Sequence, residues 1–126
     1  MARRDITGAV DFAYLERFVA GDGEVVDEVL ALFRHQAELW LRLLDPAAAG
    51  EGWRDGAHSL KGAALGIGAN GLAQACAEAE AADADPGRRT VLLGRVRDAL
   101  DAVQADIAAY AHERALQSLR SAPAPR

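Results

Sequence analysis

Cysteine, aromatic residues and long apolar runs are scarce in this 126-residue sequence. Cys76 is the only cysteine, so no disulfide can form within the chain, and a reducing, cytoplasmic setting is expected. No stretch is long and apolar enough to span a bilayer, and the first residues lead into no apolar run of the signal-peptide type. A formal net charge of -5 argues against nucleic-acid binding as the main activity.

Alanine is abundant instead, and it supplies much of the 51% hydrophobic content. Alanine has the highest helix propensity, whereas the β-branched and aromatic residues that favour strands are few. The composition therefore predicts an all-α fold. The length suits a single domain, and no internal repeat of about 20 to 50 residues is visible.

Capping residues and apolar spacing divide the chain into one short and four long helices. Asp11 is placed to cap the short helix, which Gly21 ends. Asn70 is the predicted cap of the fourth helix, and Asp85 with Pro86 forms the predicted start of the last one. The long helices are predicted at about residues 24–44, 51–67, 70–82 and from residue 86 to beyond 111.

Four long helices with short connections predict an up-down-up-down antiparallel four-helix bundle, with the short N-terminal helix capping one end. The predicted bundle is a single domain over residues 11–118. Residues 1–10 are predicted to form a flexible N-terminus, and residues 119–126, with their Ala-Pro pairs, a disordered tail. Because one chain supplies all four long helices, a monomer is expected.

The third predicted helix carries two stripes when its residues are placed at about 100° intervals. An apolar stripe, predicted to face the core, consists of Trp53, Ala57, Leu60, Ala64 and Ile67. His58, Gly62 and Gly66 form a second stripe, four residues apart, that is predicted to face solvent. Lys61 lies one turn along from His58, so a cation is expected beside the imidazole.

Gly62 is the most informative residue of the second stripe, because glycine inside a helix costs roughly 1 kcal/mol relative to alanine. Packing within the chain does not explain a glycine on the outer face. We therefore expect a large partner to approach the backbone closely at Gly62 and Gly66, beside His58. Leu65 is the outward apolar residue of the same helix and suits a docking surface, which the second helix could extend.

The spacing of these residues resembles that of a known family. His58-x-Leu60-Lys61-Gly62, followed by Gly68-Ala69, Leu72, Cys76 and Glu80, is similar to the histidine phosphotransfer (HPt) domains of multistep phosphorelays. The resemblance covers roughly residues 10 to 110. It implies a four-helix bundle in which Nε2 of His58 accepts a phosphoryl group from a receiver-domain aspartate and passes it to another. Lys61 would offset the charge on the phosphoryl oxygens.

The resemblance also implies a phosphocarrier rather than an enzyme. Its expected partners are receiver domains of response regulators and of hybrid histidine kinases, with neither nucleic acid nor a membrane involved. No cofactor and no metal are expected. The sequence has no Gly-rich nucleotide-binding loop, so neither an ATP site nor autokinase activity is expected.

An acceptor for Nδ1–H would orient the imidazole of His58 and leave the Nε2 lone pair free. In related domains a Glu or Gln on the following helix does this. Glu80 stands at the matching position, although Ala79 replaces the leucine that usually precedes it. Glu78 on the same helix and Gln36 on the second helix are the other candidates, and spacing alone does not choose among the three.

Two other kinds of site fit the sequence less well. A histidine kinase dimerisation module also carries a histidine on a helix, but there an acidic residue usually follows it and a proline comes soon after. Here Ser59 follows His58, and the next proline is Pro86. A metal site would have to use His35, His58, His112 and Cys76, and their spacings match no common zinc pattern.

A structural adaptor is the alternative function. Such a protein would have an HPt-like fold and bind a receiver domain without phosphotransfer. The intact set of His58, Lys61 and Gly62 argues against the adaptor, because an adaptor needs none of the three for chemistry.

Overall fold

The structure, a computed structural model, describes residues 6–121. This part of the chain contains five α-helices. Within this range there is no β-strand. The helices are α1 (Phe12–Phe18), α2 (Gly23–Leu41), α3 (Gly52–Gly66), α4 (Asn70–Ala81) and α5 (Pro86–Ser121). None of these helices is long and apolar enough to cross a membrane.

The helices pack in chain order, and this arrangement places α3 between α2 and α4. α2 contacts α3, α3 contacts α4 and α4 contacts α5, while α2 also contacts α5 and the short α1 contacts α2. The predicted all-α bundle with a short N-terminal helix is therefore confirmed, and the contacts are consistent with the up-down-up-down order. The largest side chains of the shared core that are less than 2% exposed are those of Leu15, Trp53, Leu60, Leu72, Leu92 and Tyr110.

Two of the predicted helix starts are present as expected, and α2 has a cap of the same kind. The carboxylate of Asp11 accepts a hydrogen bond from the Tyr14 amide at 3.0 Å and caps α1. Asp85 accepts from the amide of Gly87 at 3.1 Å, next to Pro86, at the start of α5. Asp22, the residue before α2, accepts from the second and third amides of that helix.

The predicted cap of α4 is wrong by one residue. Ala69 occupies the N-cap position, while Asn70 is the first helical residue and makes no capping hydrogen bond. The reason is the end of α3. Gly68 has a φ of +76°, the Gly68 amide bonds to the carbonyl of Leu65, and the Ala69 amide bonds to that of Ala64. This Schellman motif uses Ala69 to close α3, so α4 begins directly after it.

The C-terminal end of α2 comes earlier than predicted. The helix ends at Leu41 rather than at residue 44, because the amides of Leu43 and Leu44 bond to carbonyls three residues back and tighten the last turn. The chain stays close to α3 there. A Cβ on Gly56 would stand 2.8 Å from the Cβ of Leu43 and 3.0 Å from the carbonyl oxygen of Trp40. Gly56 therefore permits the close contact of α2 and α3.

The two ends of the bundle differ from the sequence expectation. Residues 6–10, predicted to be flexible, are held by a fully buried carboxylate, that of Asp106 in α5. Asp106 accepts from the amide and the hydroxyl of Thr7, at 2.8 and 2.9 Å, and from the amide of Val10 at 3.2 Å. At the other end, α5 continues to Ser121, past the predicted boundary at residue 118. Residues 1–5 and 122–126, parts of the predicted flexible segments, lie outside the described residues.

Candidate functional site

His58 stands on the solvent side of α3, as the two-stripe pattern predicted. Its side chain is 70% exposed, whereas Ala57 and Leu60 beside it are fully buried. The whole apolar stripe faces the core: Trp53, Ala57, Leu60, Ala64 and Ile67 are at most 2% exposed. The buried stripe thus fixes the rotation of α3 about its axis and turns the imidazole outward.

Glu80 of α4 is the acidic residue that reaches His58. Its Oε2 lies 2.9 Å from Nδ1 of His58. Glu78 lies instead 3.6 Å from Arg95 of α5. Gln36 is half-buried on α2, and within residues 6–121 it makes no hydrogen bond to His58. Of the three candidates for orienting the imidazole, only Glu80 is in hydrogen-bonding contact with it.

The register of α4 against α3 is fixed close to this contact. The indole Nε1–H of Trp53 donates a buried hydrogen bond of 2.7 Å to the carbonyl of Ala79. Ala79 is the residue before Glu80, so a core side chain of α3 anchors the turn of α4 that carries the carboxylate. The guanidinium of Arg89 lies over the Trp53 ring, with its central carbon 5.0 Å from the ring centroid.

Lys61 lies against the same carboxylate. Its Nζ is 2.6 Å from Oε1 of Glu80, and both side chains are a little over a quarter exposed. The cation predicted beside His58 is therefore present, but it is also bound to Glu80. The sequence pattern missed this contact, since i and i+3 spacing within α3 carries no information about a side chain of α4.

The charge on Glu80 follows from its neighbours. The hydrogen bond from Lys61 is the largest influence and lowers the pKa of the Glu80 carboxyl below its ordinary value, as does the hydrogen bond from His58, while desolvation opposes them. The carboxyl is therefore ionised at neutral pH. An ionised carboxylate can only accept hydrogen bonds, so the proton between it and the imidazole belongs to Nδ1.

When the imidazole is neutral, the proton on Nδ1 leaves the second ring nitrogen, Nε2, without one. Within residues 6–121 no group forms a hydrogen bond with Nε2 of His58. A neutral imidazole with a proton on Nδ1 presents a lone pair at Nε2, and here that nitrogen belongs to a largely exposed ring. The geometry thus offers a nucleophilic nitrogen to a reactant that arrives from solvent.

Cys76 is a buried free cysteine of α4 whose thiol is unreactive. Burial raises the pKa of its thiol to about 12, a little offset by the charge of Lys61, while the charge of Glu80 raises it further. The thiolate is therefore negligible near neutral pH. Groups of three or more His, Cys, Asp or Glu arranged to hold a metal ion are absent from residues 6–121.

Gly62 and Gly66 form a bare face of α3 next to His58, where the helix carries no side chain. Apart from the backbone of α3 itself, no atom of the described chain lies within 4 Å of where a Cβ would stand on Gly62 or on Gly66. The fold therefore does not require glycine at either position. Leu65 is 51% exposed on the same helix, as expected.

α2 contributes exposed apolar side chains next to α3. Leu32 and Leu39 of α2 and Leu43 of the turn after it are about half exposed, and a spacing of seven residues puts Leu32 and Leu39 on one side of the helix. Leu43 lies against α3 at Gly56. The sequence analysis missed Leu39 and Leu43 as surface residues, although their spacing from Leu32 could have revealed a second apolar stripe.

Comparisons with known proteins agree with this geometry. The family model described as Hpt domain matches residues 14–106. The crystal structure of the histidine phosphotransferase ShpA from Caulobacter crescentus is 57% identical in sequence and superposes with a TM-score of 0.74, covering 89% of this chain and 99% of that one. No significant match was found among curated proteins. Because the matched region spans most of the bundle and includes His58, Lys61 and Glu80, the chain belongs to the Hpt domain family.

Proposed function

We propose that His58 accepts a phosphoryl group from a receiver-domain aspartate and passes it to the aspartate of another receiver domain. The observation that carries the proposal is the exposed imidazole of His58, whose Nδ1 is bound by Glu80 at 2.9 Å while no group of residues 6–121 bonds to Nε2. The family supports the phosphorelay role. The protein is a carrier in this scheme, without an ATP site, autokinase activity or a cofactor.

The transfer step exchanges one bond to phosphorus for another. The Nε2 lone pair attacks the phosphorus of the aspartyl phosphate, the P–N bond forms, and the P–O bond to the aspartate breaks and returns its electron pair to the carboxylate. Nδ1 keeps its proton, so the phosphorylated ring acquires a positive charge. The ionised Glu80 next to Nδ1 offsets that charge. The reverse exchange delivers the phosphoryl group to the second aspartate.

Lys61 supplies positive charge on the side of His58 toward the C-terminus of α3. Side chains in a helix lean toward its N-terminus, so the Lys61 side chain leans back toward His58. The moving phosphoryl group carries charge on three oxygens, which an ammonium stabilises. Replacement of Lys61 by alanine is expected to slow transfer and leave the helical far-UV circular dichroism unchanged.

The receiver domain would dock on the bare face of α3 and on the leucines of α2. Gly62 and Gly66 allow a close approach to the helix backbone, and Leu65 of α3 and Leu32 of α2 offer exposed apolar side chains. A small interface suits a carrier that must exchange donors for acceptors. The partners are receiver domains of response regulators and of hybrid histidine kinases, and the carrier acts as a cytoplasmic monomer.

The test is a phosphotransfer assay with a purified receiver domain phosphorylated on its aspartate. The wild-type protein should acquire an acid-labile label within the short time points of the assay, and His58→Gln should acquire none. His112→Gln is the matched control, because His112 is exposed on α5, far along the chain from the site. Labelling of His58→Gln to the wild-type level would refute the assignment of the phosphorylated residue.

A second arm separates transfer from mere binding. If the wild-type protein binds phosphorylated receiver domains but stays unlabelled with every receiver tested, the chain is an adaptor and the carrier proposal fails. Incubation with ATP and Mg²⁺ alone should give no label, and a label in that arm would indicate autokinase activity instead.

A further inference from the structure

One carboxylate serves two partners at this site, and each partner holds a different oxygen. Oε2 of Glu80 accepts from Nδ1 of His58 at 2.9 Å, and Oε1 accepts from Nζ of Lys61 at 2.6 Å. The imidazole is oriented only as long as Oε2 is left for it. The orientation of the His58 imidazole therefore depends on whether the cation at position 61 binds one oxygen of Glu80 or both.

The identity of that cation is unusual for this chain. The sequence has 14 basic side chains, and Lys61 is the only lysine among them, since all the others are arginine. A chain that otherwise uses arginine at every basic position has lysine at the position that touches Glu80. The difference between the two side chains therefore needs a physical explanation at this position.

Ammonium and guanidinium bind a carboxylate differently. The lysine ammonium is a compact charge that can bind one carboxylate oxygen and leave the other free. The arginine guanidinium is a planar fork, and it frequently takes both oxygens of a carboxylate in two parallel hydrogen bonds. An arginine at position 61 would thus compete with Nδ1 of His58 for Oε2.

We propose that the cation at position 61 must be an ammonium and not a guanidinium, because Lys61 leaves Oε2 of Glu80 to His58 and so allows Glu80 to position the imidazole. Glu80 is then the positioning residue in the resting protein, and Lys61 is a cation that does not compete with the imidazole for Oε2. The effect on transfer rests on the function proposed above. The effect on the imidazole does not, since it exists in the unphosphorylated protein.

The experiment measures the tautomer of His58 in the full-length protein, without any receiver domain. ¹⁵N NMR of the imidazole at a pH where the ring is neutral distinguishes the protonated from the unprotonated nitrogen. In the wild type the Nδ1–H form should dominate. Lys61→Arg should lower the ratio of the Nδ1–H to the Nε2–H form by about fivefold, the effect of losing one hydrogen bond.

Two further variants make the result specific. Lys61→Met removes the charge but leaves both oxygens of Glu80 to His58, so the Nδ1–H form should still dominate. Arg54→Lys makes the opposite exchange one turn before His58 on the same helix, where within residues 6–121 the guanidinium pairs with no carboxylate. It should leave the tautomer ratio at the wild-type value.

The outcomes separate this inference from the proposed function. A wild-type tautomer ratio in Lys61→Arg would overturn the inference, and so would an equal loss of the Nδ1–H form in Lys61→Met, because that would show that charge alone matters. Neither result depends on phosphotransfer. A wild-type protein that shows the expected tautomers but accepts no phosphoryl group would refute the function and leave the inference standing.

Discussion

At the scale of single residues, the site depends on the ionised state of Glu80. Its carboxylate accepts from an imidazole and from an ammonium, and both bonds require negative charge on it. The pKa of Glu80 is lowered first by the Lys61 hydrogen bond and then by that of His58, against desolvation. Lys61 and His58 thus both favour the ionised form of Glu80.

The lowered pKa of Glu80 gives a pH prediction. Because the pKa in the folded protein lies below its value in the unfolded chain, Glu80 stabilises the fold fully above the unfolded pKa. That contribution is lost as the pH falls through the folded pKa. ¹³C NMR of the Glu80 carboxyl should therefore show a titration midpoint below the ordinary glutamate range.

The dependence on Lys61 can be tested in the same way. In Lys61→Met the largest cause of the shift is gone, so the Glu80 midpoint should move up toward the ordinary glutamate value. Arg54→Lys is the control, since it changes a basic side chain on α3 without touching Glu80. An unchanged midpoint in Lys61→Met would show that Lys61 does not hold the carboxylate in solution.

At the scale of helices, a helix start could be predicted from the sequence where it depends only on residues close to it in the chain. Asp11 and Asp85 with Pro86 were recognised as starts, because an N-cap needs only the residue itself and the next few amides. The start of α4 was misplaced at Asn70, since Ala69 is already used by the motif that ends α3. The capping preference of asparagine could not reveal that the Ala69 amide already bonds to the carbonyl of Ala64 at the end of α3.

Two glycines of α3 look alike in the sequence and differ in the fold. Gly62 faces open space, whereas Gly56 is buried against the end of α2. The glycine argument made from the sequence therefore applies to Gly62 and not to Gly56. The interhelical contact that separates them depends on how α2 packs, which spacing within α3 does not contain.

Gly62→Gln should retain the fold and lose transfer. The Cβ of the new side chain stands in open space and its remaining atoms can extend into solvent, so the free energy of unfolding in urea should stay the same or rise by roughly 0.5–1 kcal/mol. The side chain would hold a receiver domain away from His58, and the rate of phosphotransfer should fall at least tenfold.

Gly94→Gln is the matched control for that prediction. Gly94 is also a helical glycine with nothing within 4 Å of its Cβ position, but it lies on α5. It should show a similar gain in unfolding free energy and wild-type transfer. Normal transfer in Gly62→Gln would mean that the bare face of α3 is not where the partner docks.

Gly56→Ala should act in the opposite direction. Its Cβ would stand 2.8 Å from the Leu43 Cβ and 3.0 Å from the Trp40 carbonyl oxygen, so the end of α2 must move away. Overpacking of this kind costs about 1–3 kcal/mol, which exceeds the helix-propensity gain of up to about 1 kcal/mol. Urea unfolding should show a net loss, while Gly94→Ala should show a gain; a gain in Gly56→Ala would show that the α2–α3 contact is looser than described.

At the scale of the whole molecule, the contacts that could not be predicted join residues far apart in the chain. The spacing on α3 identified His58 and Lys61, but choosing Glu80 over Glu78 and Gln36 required the register of α4 against α3. That register is set by the Trp53 bond to Ala79. Asp106 is a second case, because nothing near it in the sequence shows that Thr7 and Val10 lie against it.

The Asp106 contact gives a prediction about the integrity of the bundle. Its buried carboxylate satisfies two backbone amides and one hydroxyl of residues 7–10, and it fixes this segment to α5 before α1 begins. In Asp106→Ala these donors lose their acceptor, and the Val10 amide loses it in a buried place. The free energy of unfolding should fall by about 2–4 kcal/mol in urea titrations.

Hydrogen exchange can show that the loss originates at this contact. The amides of Thr7 and Val10 should exchange faster in Asp106→Ala under native conditions, while amides in the middle of α3 stay protected, because local opening of the segment precedes unfolding of the bundle. Asp101→Ala, an exposed carboxylate on the same helix, should change neither stability nor exchange. Equal stability of Asp106→Ala and Asp101→Ala would mean that residues 6–10 are not held by α5, and that the bundle begins at α1 as the sequence pattern alone suggested.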